Sequence, residues 1–162
     1  MSSDELERAL DRLVSRAAIT ESLHRYARLI DERDFDTLSE IFADECTAEY
    51  GSRGGDLLRS SSEVIDWVKT QLRQVRATSH HISNVEIDFI DADHAASVCY
   101  VYAWHDIDGM TAKAVVLGRY VDRFERTGQQ WRITHRKLFA HGFEHFPADF
   151  LRPLPAAADQ RP

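Results

Sequence analysis

Between residues 4 and 33 the chain has neither glycine nor proline, and Ile19, Leu23, Tyr26, Ala27 and Ile30 return at helical spacing along it. With Ser2 or Ser3 available as a cap, the pattern predicts one long helix or two abutting ones. A second helix is predicted over about 35–43, turning Phe35, Leu38, Ile41 and Phe42 inward, and "ECTAEY" reads as a short strand ending at the turn "GSRGG". In "SSSEVIDWVKTQLRQV", Ser61 or Ser62 can cap a third helix whose apolar stripe is Val64, Ile65, Val68 and Leu72.

After residue 78 the period falls to two. Strands are predicted at about 79–90, 94–105, 111–125 and 130–141, separated by the turn compositions "DAD", "DIDGM" and "RTGQQ". Helices followed by an antiparallel meander indicate an α+β fold. The strand "ASVCYVYAWH" is apolar on both parities, with Val98, Tyr100, Tyr102 and Trp104 opposite Cys99, Val101 and Ala103. Such a sheet needs cover on both faces, from its own helices on one side and from another subunit on the other.

The 162 residues fit one domain, taken as 1–147, with a proline-rich tail over 148–162 that is expected to be loose at its end. A hydrophobic content of 43% supports a packed core, and a net charge of −7 argues against a nucleic-acid partner. Cys46 and Cys99 are far apart and belong to no CxxC or zinc pattern, so two buried thiols are expected. The charged start "MSSDELERALDRL" lacks an apolar signal region, and no run approaches the ~20 apolar residues of a membrane span. These features place the protein in the cytoplasm.

Several polar groups interrupt apolar patterns. The ridge Ile19, Leu23, Ala27 steps by four onto Asp31, a carboxylate near a helix C-terminus, where negative charge is disfavoured. Either the helix has ended and Asp31 is solvated, or a cation or donor meets it. His105 shares parity with Cys99, Val101 and Ala103, and His135 with Trp131, Ile133 and Phe139. A lone histidine on such a face is ordinarily a core or hairpin-end residue. Three strands each supply one here, so His80, His105 and His135, with Asp31, can converge on one cavity suited to acid–base work. The same set contains admissible metal ligands, but only "HH" is closely spaced and adjacent strand residues point to opposite faces, so no metal is expected. Within "TSHHISNVEIDF", His81 shares parity with Val85, Ile87 and Phe89, whereas His80 goes with Ile82, Asn84, Glu86 and Asp88. Alternation alone therefore turns His81 inward.

The segments "LDRLVSRAAITESLHRYARLIDERDFDTLSEIFADECTAEY", "TSHHISN" and "GRYVDRFERTGQQWRITHRKL" resemble the SnoaL-like branch of the nuclear transport factor 2-like superfamily. In motif they are closest to scytalone dehydratase, hexachlorocyclohexane dehydrochlorinase and bile acid 7α-dehydratase, and the likeness covers roughly residues 8–145. It implies a cone of N-terminal helices packed into a strongly curved, mainly antiparallel sheet. In those lyases a helix aspartate pairs with a strand histidine that removes a substrate proton, and the resemblance carries these roles onto Asp31 and His80. It thereby opposes the parity argument, unless one extra residue in a bulge flips the strand; His81 is the fallback.

The resemblance further matches Tyr50 and His105 to residues that contact substrate in the dehydratase, Tyr26 to a pocket-lining position, and His135 to a pocket arginine of the dehydrochlorinase. Ile30 replaces the dehydratase's helix tyrosine, and Gly118 and Tyr120 replace its third-strand serine and asparagine, so the substrate-recognition set differs. The implied activity is cofactor-independent dehydration of a bulky, hydrophobic, hydroxylated or carbonyl-activated small molecule. Isomerisation or polyketide cyclisation uses the same apparatus, and a non-catalytic binding or assembly module is a further alternative. A homo-oligomer, trimer or dimer, is expected.

Overall fold

The computed structural model describes residues 2–50 and 57–146; the predicted "GSRGG" turn and the tail lie outside them. Helix α1 (Ser3–Glu32) is one continuous helix. Ser2 opens it with a capping box, accepting from the Glu5 N–H at 3.2 Å while its own N–H donates to Glu5 Oε2 at 2.7 Å. The helix ends at Arg33, which takes the left-handed conformation (φ 61°) usual for glycine. The Arg33 guanidinium secures that conformation by donating to Ile30 O, Val75 O and Thr78 Oγ1.

Helix α2 (Phe35–Ser39) is shorter than predicted, because Phe42 already begins strand β1 (Phe42–Glu49). The Ile133 N–H donates to Ile41 O, and Phe42 pairs with Ile133. Phe42 is buried as expected, but from a strand. The two-residue β2 (Leu57–Leu58) had no signal in the sequence. In α3 (Ser61–Gln71) the cap is Ser60, one residue before the predicted candidates, and Val64, Ile65 and Val68 are buried.

Strands β3 (Val75–Phe89), β4 (His94–Ile107), β5 (Ala114–Thr127) and β6 (Gln130–Glu144) form the predicted meander. Among the described residues the strand order is β2-β1-β6-β5-β4-β3, with β1–β6 the one parallel pair. Single extra residues interrupt three strand registers where it matters. In β3, Ser83 faces Tyr100 but Glu86 faces Val98, with Asn84 at φ 50° inside the bulge. In β6, Arg123 faces His135 but Phe124 faces Ile133, and Gly118 faces Ala140 while Leu117 faces Gly142. Bulges increase twist and bend strands, and here they curve the sheet around α1. At Gly118 a Cβ would meet the Phe139 carbonyl at 2.7 Å, so this bend admits only glycine.

The concave face holds one continuous apolar core in which Ile19, Leu23, Tyr26 and Ile30 of α1 meet Cys99, Val101, Phe124 and Ile133. The convex face leaves Tyr100, Tyr102 and Leu117 exposed, in line with the two-sided apolar pattern of β4. Within the core lies an ion pair: Arg136 Nε and Nη2 donate to Asp122 Oδ1 and Oδ2 at 2.8 and 2.7 Å, and both side chains are fully buried. Removing one member of such a pair strands the other charge, typically at ~3–5 kcal/mol. Asp122→Asn is therefore expected to lower the thermal midpoint by roughly 6–20 °C for a domain of this size. The joint replacement Asp122→Leu/Arg136→Met should cost less than the single change; differential scanning calorimetry reading the opposite order would contradict the account.

Candidate active site

A cavity of about 90 Å³ opens between α1, α3 and the concave face of the sheet. Among the described residues its wall contains no Lys, Arg, Asp or Glu; apolar side chains such as Ile30, Val68, Leu72, Val101 and Leu138 surround a few polar ones. Those polar groups are the phenols of Tyr26, Tyr50 and Tyr120, the imidazoles of His80 and His105, and the Gln71 amide.

Asp31 and His80 are brought together at one side. Asp31, in the last turn of α1, has no basic residue in that turn, and its hydrogen-bond donors come from β3 instead. His80 Nδ1 lies 2.7 Å from Asp31 Oδ1, the His80 backbone N–H donates to Oδ2 at 2.9 Å, and the Thr78 hydroxyl donates to Oδ1 at 2.8 Å. Burial opposes ionisation of Asp31, but the His80 ring and backbone hydrogen bonds, the His80 charge and the Thr78 hydroxyl together outweigh it and hold the carboxyl below its ordinary range. Arg33 extends the support one step back by donating to Thr78 Oγ1 at 3.2 Å. With Nδ1 committed to the carboxylate, Nε2 is the ring nitrogen left for chemistry.

The choice between the two histidines follows from the β3 bulge. The residue added between Ser83 and Glu86 reverses the facing of everything before it, so His80 joins the inner face and His81 is exposed. His81 sits on the convex side against the Tyr102 ring, with Nε2 3.0 Å from Ser79 Oγ; neither pattern alternation nor a substrate-contact role for it holds.

His105 does line the cavity, its ring 5.6 Å from that of His80 and edge-on to it. Burial, and then the nearby His80 charge, push its pKa down to about 4. Among the described residues, its buried Nδ1 has no hydrogen-bond partner.

His135 is not in the cavity. The extra residue in β6 turns it outward, where Nδ1 meets Thr47 Oγ1 at 2.7 Å and Nε2 lies 3.9 Å from Glu49. The same shift carries the next residue, Arg136, to the interior, which alternation from Trp131 and Ile133 could not reveal. One signal was available: Asp122 shares parity with Tyr120 and Phe124, and a carboxylate on a core face requires a cation opposite.

The tyrosines form the remaining polar group. Tyr26 and Tyr50 share a hydrogen bond of 2.9 Å between their hydroxyls, and Tyr50 stacks on Trp67 at 4.6 Å. Behind them the Arg136 guanidinium lies 4.1 Å from the Tyr26 ring centre and 4.2 Å from that of Tyr120. Burial pushes the Tyr50 and Tyr120 pKa values well above the ordinary phenol range, with the neighbouring Tyr26 adding to the rise and Arg136 offsetting part of it. Tyr50 and Tyr120 therefore keep their protons at neutral pH. Among the described residues, no three His, Cys, Asp or Glu side chains are grouped as a metal ion would need.

Comparison with known proteins agrees with this architecture. The chain is 27% identical over 122 residues to the uncharacterized protein Rv2910c of Mycobacterium tuberculosis, covering 75% of this chain and 82% of that protein. Its fold superposes on a candidate scytalone dehydratase from Novosphingobium aromaticivorans with a TM-score of 0.83 at 22% identity, covering 92% of this chain and 99% of the other. It also superposes on a type-3 hexachlorocyclohexane dehydrochlorinase, LinA, from Novosphingobium barchaimii, with a TM-score of 0.76 at 20% identity, covering 90% and 99%. Residues 11–137 match the SnoaL-like domain, and the chain belongs to that family.

Proposed function

We propose that the protein is a cofactor-independent lyase that eliminates water from a compact, uncharged small molecule, with His80 as general base. The observation that supports this most is the His80 Nδ1–Asp31 hydrogen bond of 2.7 Å beside an apolar cavity. Asp31 fixes the tautomer of His80 and stabilises the imidazolium formed when Nε2 takes a proton from carbon. As that C–H bond breaks, its electrons form the new double bond and the C–O bond on the neighbouring carbon breaks. The departing oxygen takes the proton back from His80 and leaves as water. The Tyr50 hydroxyl, accepting from Tyr26, donates its own proton to the substrate oxygen on which charge builds. His105, neutral at working pH, serves as a hydrogen-bond partner for the departing hydroxyl rather than as a charged acid.

The absence of charged residues from the wall favours neutral substrates, since an unpaired ion would be left desolvated there. A cavity of about 90 Å³ favours a smaller molecule than the bulky one suggested by the sequence. A panel of hydroxylated cyclic ketones, followed by mass spectrometry for loss of one water, tests the reaction. A product of unchanged mass with a displaced double bond would indicate isomerisation by the same base.

On a turned-over substrate, His80→Ala is expected to reduce kcat by roughly 10²- to 10⁴-fold with circular dichroism and ligand affinity unchanged. Asp31→Asn should lose much of the rate, because an amide cannot stabilise the imidazolium, and Tyr50→Phe should lose less. Near wild-type turnover by His80→Ala would remove the base assignment.

His105 also generates a stability prediction. Its folded pKa of about 4 lies below the unfolded value of 6.5, so the unfolded chain binds more protons between these limits. The contribution is fully present above pH 6.5 and is lost as pH falls toward 4, by about 3 kcal/mol in all. Denaturant unfolding across that window should show His105→Gln with a shallower pH dependence than wild type. Parallel curves would mean that His105 is charged in the folded protein.

A further inference from the structure

Arg33 occupies the C-cap of α1 at φ 61° and ψ 26°, a left-handed position that glycine takes without Cβ strain. What an arginine adds there is its side chain, which folds back over the helix end. Nη1 donates to Ile30 O at 3.0 Å and to Thr78 Oγ1 at 3.2 Å, and Nη2 donates to Val75 O at 3.2 Å. The guanidinium thus ties the last turn of α1 to the opening residues of β3, beside the register shift between Val75 and Ala77.

The bond to Thr78 has a fixed direction. A guanidinium can only donate, so the Thr78 hydroxyl accepts from it and has one proton left to place. That proton goes to Asp31 Oδ1 at 2.8 Å. Oδ1 also faces His80 Nδ1 at 2.7 Å and Oδ2 accepts from the His80 N–H at 2.9 Å, so donors on both oxygens fix the plane of the carboxylate. Among the described residues Asp31 has no direct ion pair with Lys or Arg. A bidentate guanidinium contact would take up the lone pairs that hold the imidazole. With one hydroxyl in between, Arg33 supports the carboxylate and leaves its inner edge to His80. The two charges still act on each other: burial pushes the Arg33 pKa down, and the Asp31 charge offsets part of that fall. The other charged side chains nearby on the helix, Arg28 and Glu32, pair together at 2.6 Å, and beyond His80 stands His105 of β4. Arg33 and Thr78 both lie outside the cavity wall, so their influence on a ligand passes through Asp31.

We infer that Arg33 is a positioning residue: acting through Thr78, it aims a hydroxyl proton at Asp31 Oδ1 and so fixes the carboxylate that orients the His80 ring toward the cavity. The catalytic consequence rests on the reading of His80 as base; the hydrogen-bond relay itself does not. A plain helix cap needs the Arg33 contacts to Ile30 O and Val75 O but not the Thr78 hydroxyl, and that difference separates the two roles.

The test uses the full chain. Thr78→Val removes the hydroxyl at nearly constant volume and leaves the Arg33 contacts to Ile30 O and Val75 O in place. Carbon-13 NMR should show the Asp31 carboxyl titrating at higher pH in Thr78→Val, because a donor to its charged form is lost, and near the wild-type pH in Thr78→Ser. Arg33→Gly should raise that titration as well, and Arg33→Gly/Thr78→Val should raise it little beyond Thr78→Val alone, since the two groups act in series. Arg33→Asn, also at home in the left-handed conformation, replaces Arg33→Gly if the glycine variant does not fold. On a hydroxylated cyclic ketone that the wild-type chain turns over, Thr78→Val and Arg33→Gly should each lower kcat roughly 10- to 100-fold with KM within about twofold of wild type, and Thr78→Ser should restore most of the rate. An Asp31 titration unmoved in Thr78→Val, shifts that add in full in the double variant, or a wild-type kcat in both single variants would each overturn the positioning role. The stated titrations in a chain that turns over no ketone would support the relay and count against His80 as base instead.

Discussion

A guanidinium with no exposed surface lies at the middle of the concave sheet face, and much of the cone is arranged to keep it there. Arg136 reaches Asp122 through two short hydrogen bonds, and the rings of Tyr26 and Tyr120 close over it at about 4 Å. Each contact joins a different element: β6 to β5 through the carboxylate, and β6 to α1 through Tyr26. The charge is tolerable only because all of these partners are present at once. Tyr26 in turn holds the Tyr50 hydroxyl at 2.9 Å, so the same buried cation fixes both the packing of the long helix and the position of the phenols that face the cavity.

The cavity has an electrostatic character that follows from this. The Arg136 charge is compensated by Asp122, and the Asp31 carboxylate is held by hydrogen bonds from His80 and Thr78 behind the wall. What remains facing inward is a set of neutral donors and acceptors on an apolar surface: three phenols, an amide and an imidazole held neutral by burial. Such a site can direct a proton while excluding bulk water, which suits chemistry at a carbon atom of an uncharged ligand.

The meander, the long helix and the inward stripe of α3 were legible because each rests on repetition of a period over many residues. What escaped were single-residue events. The added residues at Ser83–Glu86 and at Thr134 leave no compositional mark, yet each reverses which side chains enter the cone. Alternation consequently chose His81 and His135, where the fold uses His80 and Arg136. The motif resemblance paired Asp31 with His80, the contact that the fold contains, because it carries the bulge implicitly, but it set the sixth-strand position one residue early. Tyr26, Tyr50, His105 and Tyr120 were matched to positions by the resemblance, and all four line the cavity.

The supports of the dyad are in a different place from the wall of the cavity. Thr78, Arg33 and the His80 backbone N–H hold Asp31 from behind, and neither Thr78 nor Arg33 lines the ligand space. The wall is drawn instead from separate elements, with Trp67, Val68 and Leu72 on or just after α3 and Leu138 on β6. Mutational drift can therefore reshape the ligand space one side chain at a time while the Asp31–His80 pair stays mechanically untouched. A scaffold divided in this way is highly evolvable: descendants of one gene can change what the cavity admits without first losing and then rebuilding that pair.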